Sequence, residues 1–132
     1  MDFRPDTITV EYMAAELEAF QVTFLLPSGE QPTIPIGREE HIWDAASAAG
    51  IKLPAMCHQG YCLTCSARLV DGGEVDQTDS LVYYPEDRDA GFVLPCTGKP
   101  RSDLRLRTHQ AKQMREFRKE RKLIAPYSWS EE

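Results

Sequence analysis

The sequence predicts an α+β domain, and three observations carry that prediction. Apolar and polar residues alternate from Phe20 to Leu26, an Ile/Ala stripe recurs at helical spacing through residues 42–49, and later strand signals follow without a helix between each pair. Strands grouped around one main helix give this class, whereas a strict β-α-β alternation gives a parallel α/β sheet.

Each element has its own local cause. Phe20, Val22, Phe24 and Leu26 share one face, with Gln21 and Thr23 opposite, which is the pattern of a half-buried strand. Pro27-Ser28-Gly29-Glu30 supplies a turn, and Thr33 to Ile36 returns as the second strand of a hairpin. Ile42, Ala45, Ala46 and Ala49 then form one helical stripe, with Gly50 as the stop and Trp43 off the stripe as an edge cover. Residues 54–65 follow neither period and read as a long loop. Ser66 to Val70 is a strand closed by the Asp71-Gly72-Gly73 turn. Pro85 opens a single helical turn through Ala90, ended by Gly91. Phe92 to Leu94 forms a short buried strand, and Leu104 and Leu106 alternate with Arg105 and Arg107 in the last one.

The domain signals occupy residues 19–110. Residues 1–18 carry five acids and one Arg and read as an acidic N-terminal extension. Residues 111–132 carry six bases and four acids, a basic C-terminal extension in which Met114, Phe117 and Arg121 recur at helical spacing. A solvated charged tail is the ordinary reading of such a segment; partner docking or covering of the chain's own surface competes with it.

With 132 residues the chain is long enough to bury a core. Its net charge of −6 argues against nucleic acid, because the phosphate backbone rewards clustered Lys and Arg. It fits instead a protein partner with a basic docking face. No run of eighteen apolar residues exists, so no membrane insertion is expected. The N-terminus is neither a secretory signal nor an Arg-rich transit peptide, so the expected location is cytoplasmic, with an organelle open only to a processed mature form. A monomer is expected. No Ser-His-Asp set, phosphate loop or pocketed carboxylate pair appears, so the chain is not expected to be an enzyme.

All four cysteines lie between residues 57 and 96, spaced Cys57-x4-Cys62-x2-Cys65 with Cys96 after a long gap. That spacing is the plant-type [2Fe–2S] pattern. Two bridged irons need four thiolates converging on a small volume. A loop with x4 and x2 gaps can turn three sulfurs inward while the fourth arrives from another element, and Gly60 lets backbone approach the sulfides. A zinc site is the nearest competitor, but zinc knuckles pair two cysteines on each side, and here one side has a single cysteine. Cys62-x-x-Cys65 alone could be a thioredoxin-like motif, yet no helix start follows it. Buried inert cysteines are the remaining reading.

The chain resembles the plant-type ferredoxins of chloroplasts and cyanobacteria over about residues 20–110, in stretches such as DAASAAGIKLP, GEVDQTDS, AGFVLPC and SDLRLRTHQ. The resemblance implies a β-grasp (ubiquitin-like) fold, a mixed sheet with one main helix packed on it. It implies one [2Fe–2S] cluster, with Cys57 and Cys62 on the outer iron and Cys65 and Cys96 on the inner one. It further implies one-electron transfer at low potential, about −400 mV in this family. Donors would be photosystem I or a reductase, and partners ferredoxin-NADP reductase-like proteins or other acceptors. The alternative is a structural or iron-sensing metal protein with its tails as interaction arms.

The sequence departs from the family in three places. His58, Tyr61, Leu63 and Thr64 stand in the cluster loop where Arg and small residues are usual, and His58 is expected to pack at the surface rather than ligate. Either Tyr83 or Tyr84 is the aromatic expected near the cluster before Pro85. After Thr108-His109 the usual acids are replaced by a basic tail. Asp44, Asp71, Glu74, Asp76, Asp79, Glu86, Asp87 and Asp89 are candidates for an acidic docking surface, with plain solvation the ordinary reading of each.

Overall fold

The computed structural model describes residues 19–55 and 63–125. The first hairpin pairs β1 (Ala19–Leu25) with β2 (Thr33–Gly37) antiparallel, with Val22 opposite Ile34 and Phe20 opposite Ile36. Val22, Phe24 and Ile36 are fully buried, as the alternation requires. Gly29 closes the turn at φ 96°, a conformation that a β-carbon disfavours.

Helix α1 (Ile42–Ala48) lays Ile42 and Ala46 on the sheet, whereas Ala49 of the expected stripe is exposed beyond its end. Next come β3 (Ala67–Leu69), β4 (Val75–Asp76), α2 (Pro85–Asp89), β5 (Phe92–Val93), β6 (Lys99–Pro100), β7 (Leu104–Arg107) and α3 (Ala111–Glu120). The main sheet has the order β2-β1-β7-β3-β5, in which β1 and β7 run parallel and the other neighbours antiparallel. β4 and β6 form a separate two-stranded ladder. This is the β-grasp arrangement, a mixed sheet holding one main helix.

Two apolar clusters divide the interior. The first lies between the sheet and α1 and contains Val22, Phe24, Ile36, Ile42, Ala46, Ala67, Val93, Leu104 and Leu106. The second contains Leu63, Cys65, Phe92, Leu94, Cys96 and Met114. Trp43 packs against both, and its indole N–H donates to the Leu53 carbonyl at 3.0 Å. It is therefore a bridge between the clusters rather than an edge cover.

Residues 111–125 fold back on the domain. Phe92 stands in register with Arg68, on the face of the sheet opposite Ala67 and Val93 of the first cluster. Helix α3 covers that face at its β5 end. Met114 is fully buried, and Phe117 meets Phe92 at a centroid distance of 5.2 Å and a 54° tilt. Burying a methionine of this kind contributes about 1.5–3 kcal/mol. The buried stripe of α3 is Met114, Arg115 and Arg118, with Phe117 half-buried, so two arginines face inward where Arg121 was expected to continue the stripe.

Candidate metal centre

The second cluster is where two of the four cysteines meet. Cys65 sits in a tight turn: Ser66 N–H donates to the Leu63 carbonyl at 3.0 Å, and the Ser66 hydroxyl bonds the same oxygen. Leu63 adopts φ 67°, the left-handed region that non-glycine residues rarely enter. Its side chain is buried beside Cys65, so this bulky replacement for a small residue fills the lobe.

Cys96 lies on a second turn, built separately. Thr97 and Gly98 N–H groups both donate to the Leu94 carbonyl, at 3.1 and 2.9 Å. Gln77 grips the same residue from outside the turn, accepting from Leu94 N–H at 2.7 Å and donating to its carbonyl at 3.3 Å. Gln77 also donates to Ser80, whose hydroxyl lies 2.6 Å from that of Thr97. On the other side, Trp43 N–H donates to Pro95 and Ile42 N–H to Gly98, at 2.8 and 2.9 Å. Those two donors belong to the first turn of α1, which lacks intrahelical acceptors, so one contact satisfies the helix and fixes the loop. Gly98 admits no side chain: a β-carbon would stand 2.7 Å from Val75 and 3.1 Å from the Leu94 carbonyl.

Cys65 and Cys96, 31 positions apart in the chain, thus share one apolar cluster as buried thiols. Soft thiolate donors brought together in a dry lobe suit an iron–sulfur cluster. Cys57, Cys62, His58, Gly60 and Tyr61 lie outside the described residues. Among the described residues no group of three His, Cys, Asp or Glu side chains gathers elsewhere to hold a metal.

The tyrosine ambiguity has a geometric answer. Tyr83 packs against the cysteine cluster, and its hydroxyl donates to the Phe92 carbonyl at 2.5 Å. Tyr84 instead lies under the Arg118 guanidinium, 4.8 Å from ring to carbon. Burial first, and the Asp87 carboxylate second, push the Tyr83 hydroxyl well above its ordinary pKa. Because the folded value is raised, this contribution to stability is intact below pH 10 and is lost as pH rises through the folded value. Tyr83→Phe is therefore expected to cost about 1 kcal/mol at neutral pH and to flatten the alkaline decline of stability. Denaturant titrations at pH 7 and above pH 10 measure both; an unchanged alkaline slope would contradict the assignment.

The acidic candidates separate on inspection. Asp87 is fully buried in an ion pair with Arg118 and is not part of any docking surface. Asp71 pairs with Arg105 at 2.5 Å, and Asp76 with Arg101 at 2.8 Å. Asp44 and Asp79 are exposed, as are Glu74, Glu86 and Asp89. A hydrogen bond from His41, then one from Lys99, hold the Asp79 carboxyl below its ordinary pKa. Its folded pKa is depressed, so its contribution is present above the ordinary carboxylate range and is lost as pH falls through the folded value.

Sequence reasoning missed Gln77, Ser80 and Thr97 as braces of the Cys96 turn, and Asp87 with Arg118 as a buried pair. The GEVDQTDS stretch was visible as part of a resemblance, but nothing in it announces which side chain turns inward.

Residues 25–101 match the 2Fe-2S iron-sulfur cluster binding domain family, and the chain belongs to it. It is a plant-type [2Fe–2S] ferredoxin by family, an electron-transfer protein rather than an enzyme, carrying one [2Fe–2S] cluster. It is 43% identical over 82 residues to Ferredoxin-2 of a Synechococcus species, covering 62% of this chain and 77% of that one. It is 44% identical over 78 residues to the heterocyst ferredoxin of a Nostoc species (59% and 78% covered). It is 31% identical over 90 residues to the chloroplastic Ferredoxin-6 of Zea mays (68% and 57% covered). Among solved structures, pectocin M2 shares the fold with a TM-score of 0.63 at 24% identity, over 77% of this chain and 40% of that one. The ferredoxin reductase of carbazole 1,9a-dioxygenase matches with a TM-score of 0.56 at 26% identity, over 69% and 28%. These relatives favour the electron carrier over the structural or iron-sensing alternative. No helix among the described residues is long and apolar enough to cross a membrane.

Proposed function

We propose that Cys57, Cys62, Cys65 and Cys96 together hold the cluster, and that the chain passes single low-potential electrons from a reductase or photosystem donor to acceptor proteins. The observation that carries this is the convergence of Cys65 and Cys96, buried, in one apolar lobe. When bound, the cluster supplies a reversible one-electron couple; the protein supplies thiolates, dryness and a docking surface. Leu63, Phe92, Leu94 and Met114 exclude water around the two described cysteines, and Tyr83 closes the lobe on one flank.

A monomer, a cytoplasmic location and a division into residues 1–18, 19–110 and 111–132 complete this reading. Docking of a basic reductase-like partner falls to the exposed acids near α1, Asp44 and Asp79 among them. The test is reduction of the holoprotein. The expected result is a brown protein with two irons and two sulfides per chain, bleached reversibly by dithionite and turned over by a ferredoxin reductase. A colourless zinc-loaded protein, or a cluster destroyed by one reduction, would overturn it.

A further inference from the structure

The outer face of the sheet carries charge of the wrong sign for an acidic ferredoxin. Arg105 and Arg107 alternate outward from β7, and Arg107 stands in register opposite Arg68 on β3. Like charges directly opposite on neighbouring strands destabilise a sheet. The row does not end there. Arg68 lies over the Phe92 ring at 4.7 Å, Phe92 packs on Phe117, and Arg121 lies over Phe117 at 3.9 Å. Four guanidiniums thus run from the middle of the sheet to the end of α3, threaded by two aromatic rings, of which Phe92 belongs to the cysteine lobe.

The local counter-charge is incomplete. Asp71 pairs with Arg105, and Glu120 lies 3.8 Å from Arg121. Arg68 spends its Nε–H on the Ala90 carbonyl, and neither it nor Arg107 forms an ion pair with a described carboxylate. The exposed acids Asp44 and Asp79 lie toward α1, and α1 packs on the opposite face of the sheet. Those two acids and the arginine stripe therefore lie on opposite faces of the sheet.

We infer that the stripe of Arg68, Arg105, Arg107 and Arg121 is a second docking surface, fitted to a redox protein with an acidic face. Charge complementarity selects that partner, and the same complementarity disfavours the basic partner proposed for the other side. Arginine suits the task, since its planar head stacks on aromatic rings and still presents donors to carboxylates. The Phe92–Phe117 contact places this surface against the lobe that holds Cys65 and Cys96, so a partner seated there adjoins the electron source.

This inference rests on the electron-carrier reading, and the experiment separates the two. The reduced holoprotein is mixed with two haem proteins of opposite surface charge, cytochrome b5 (acidic) and cytochrome c (basic), across a range of salt. For the wild type, the rate with cytochrome b5 should fall as salt rises. In the Arg107→Gln/Arg121→Gln variant it should drop about fivefold at low salt, while the rate with cytochrome c stays within about twofold. An unchanged rate with cytochrome b5, or a wild-type rate that rises with salt, would overturn the docking surface. Failure to reduce either haem protein would instead sink the carrier reading. Two further outcomes also overturn the inference by assigning the stripe another occupant. One is salt-sensitive self-association in sedimentation, which makes a second copy the occupant. The other is cytochrome b5 reduction that responds to the stripe only after Asp2, Asp6, Glu11, Glu16 and Glu18 are changed to amides, which makes it the chain's own N-terminal acids.

Discussion

Cys96→Ser should yield a protein that folds around its first apolar cluster but assembles no normal [2Fe–2S] centre. The chain has four cysteines, so no fifth thiol can substitute. The surrounding turn also leaves little room for repair. Leu94 is held through both its N–H and its carbonyl by Gln77, the hydroxyls of Ser80 and Thr97 meet behind it, and α1 grips Pro95 and Gly98. A serine there occupies the same place with a harder oxygen donor, and the backbone cannot shift to offer another ligand. The expected readings are loss of the wild-type visible and paramagnetic spectra and of stoichiometric iron and sulfide, with the far-ultraviolet spectrum retained. A native spectrum in purified Cys96→Ser would break the ligand set. Gln77→Ala provides the contrast: the four thiols remain, and the cluster should assemble but be lost faster, because a buried carbonyl and N–H lose their shared partner.

What the sequence disclosed follows from the range of the forces involved. The alternation Phe20-Val22-Phe24 and the Ile42–Ala46 stripe announce themselves because a period of two or of 3.6 repeats within seven residues. The cysteine spacing is equally local, and with the resemblance it was enough to point to the cofactor. β4 and β6 were not anticipated, since Val75–Asp76 and Lys99–Pro100 are two residues each and carry no period. Trp43 looked peripheral because its role depends on two clusters meeting, a fact of tertiary packing. Asp87 and Arg118 misled most. Charged residues in acidic and basic surroundings read as solvated, and only the docking of α3 brings the two together across 31 positions. For the same reason, removing residues 111–132 would strip cover from Phe92 and expose the pocket that Met114 fills.

The largest loss of folding stability should come from breaking the Asp87–Arg118 pair. Both side chains are fully buried, and none of their buried nitrogen or oxygen atoms lacks a hydrogen-bond partner. Arg118 Nη2 donates to Asp87 Oδ2 at 2.6 Å and to the Val82 carbonyl at 3.0 Å, Nε reaches both carboxylate oxygens, and Nη1 donates to the Ile124 carbonyl at 3.1 Å. Asp87 additionally accepts from Tyr84 N–H at 2.9 Å, so one carboxylate caps α2 and anchors α3. Arg118→Met leaves a buried carboxylate with one remaining donor, and Asp87→Ala leaves a buried guanidinium without its counter-charge. Each should cost about 3–5 kcal/mol, most of it the penalty of the stranded charge. Because that penalty vanishes when neither charge is present, Asp87→Ala/Arg118→Met should be less destabilised than the sum of the singles, and by more than 1 kcal/mol. Denaturant unfolding of the four proteins, followed by far-ultraviolet dichroism, measures the cycle. Additive losses would mean that the pair is not coupled as its geometry requires. Since α3 also seats Met114 beside the cysteine lobe, the single variants should lose iron to a chelator faster than the wild type, and the double variant at an intermediate rate. If the clamp served only the helix, chelation rates would be equal in all four.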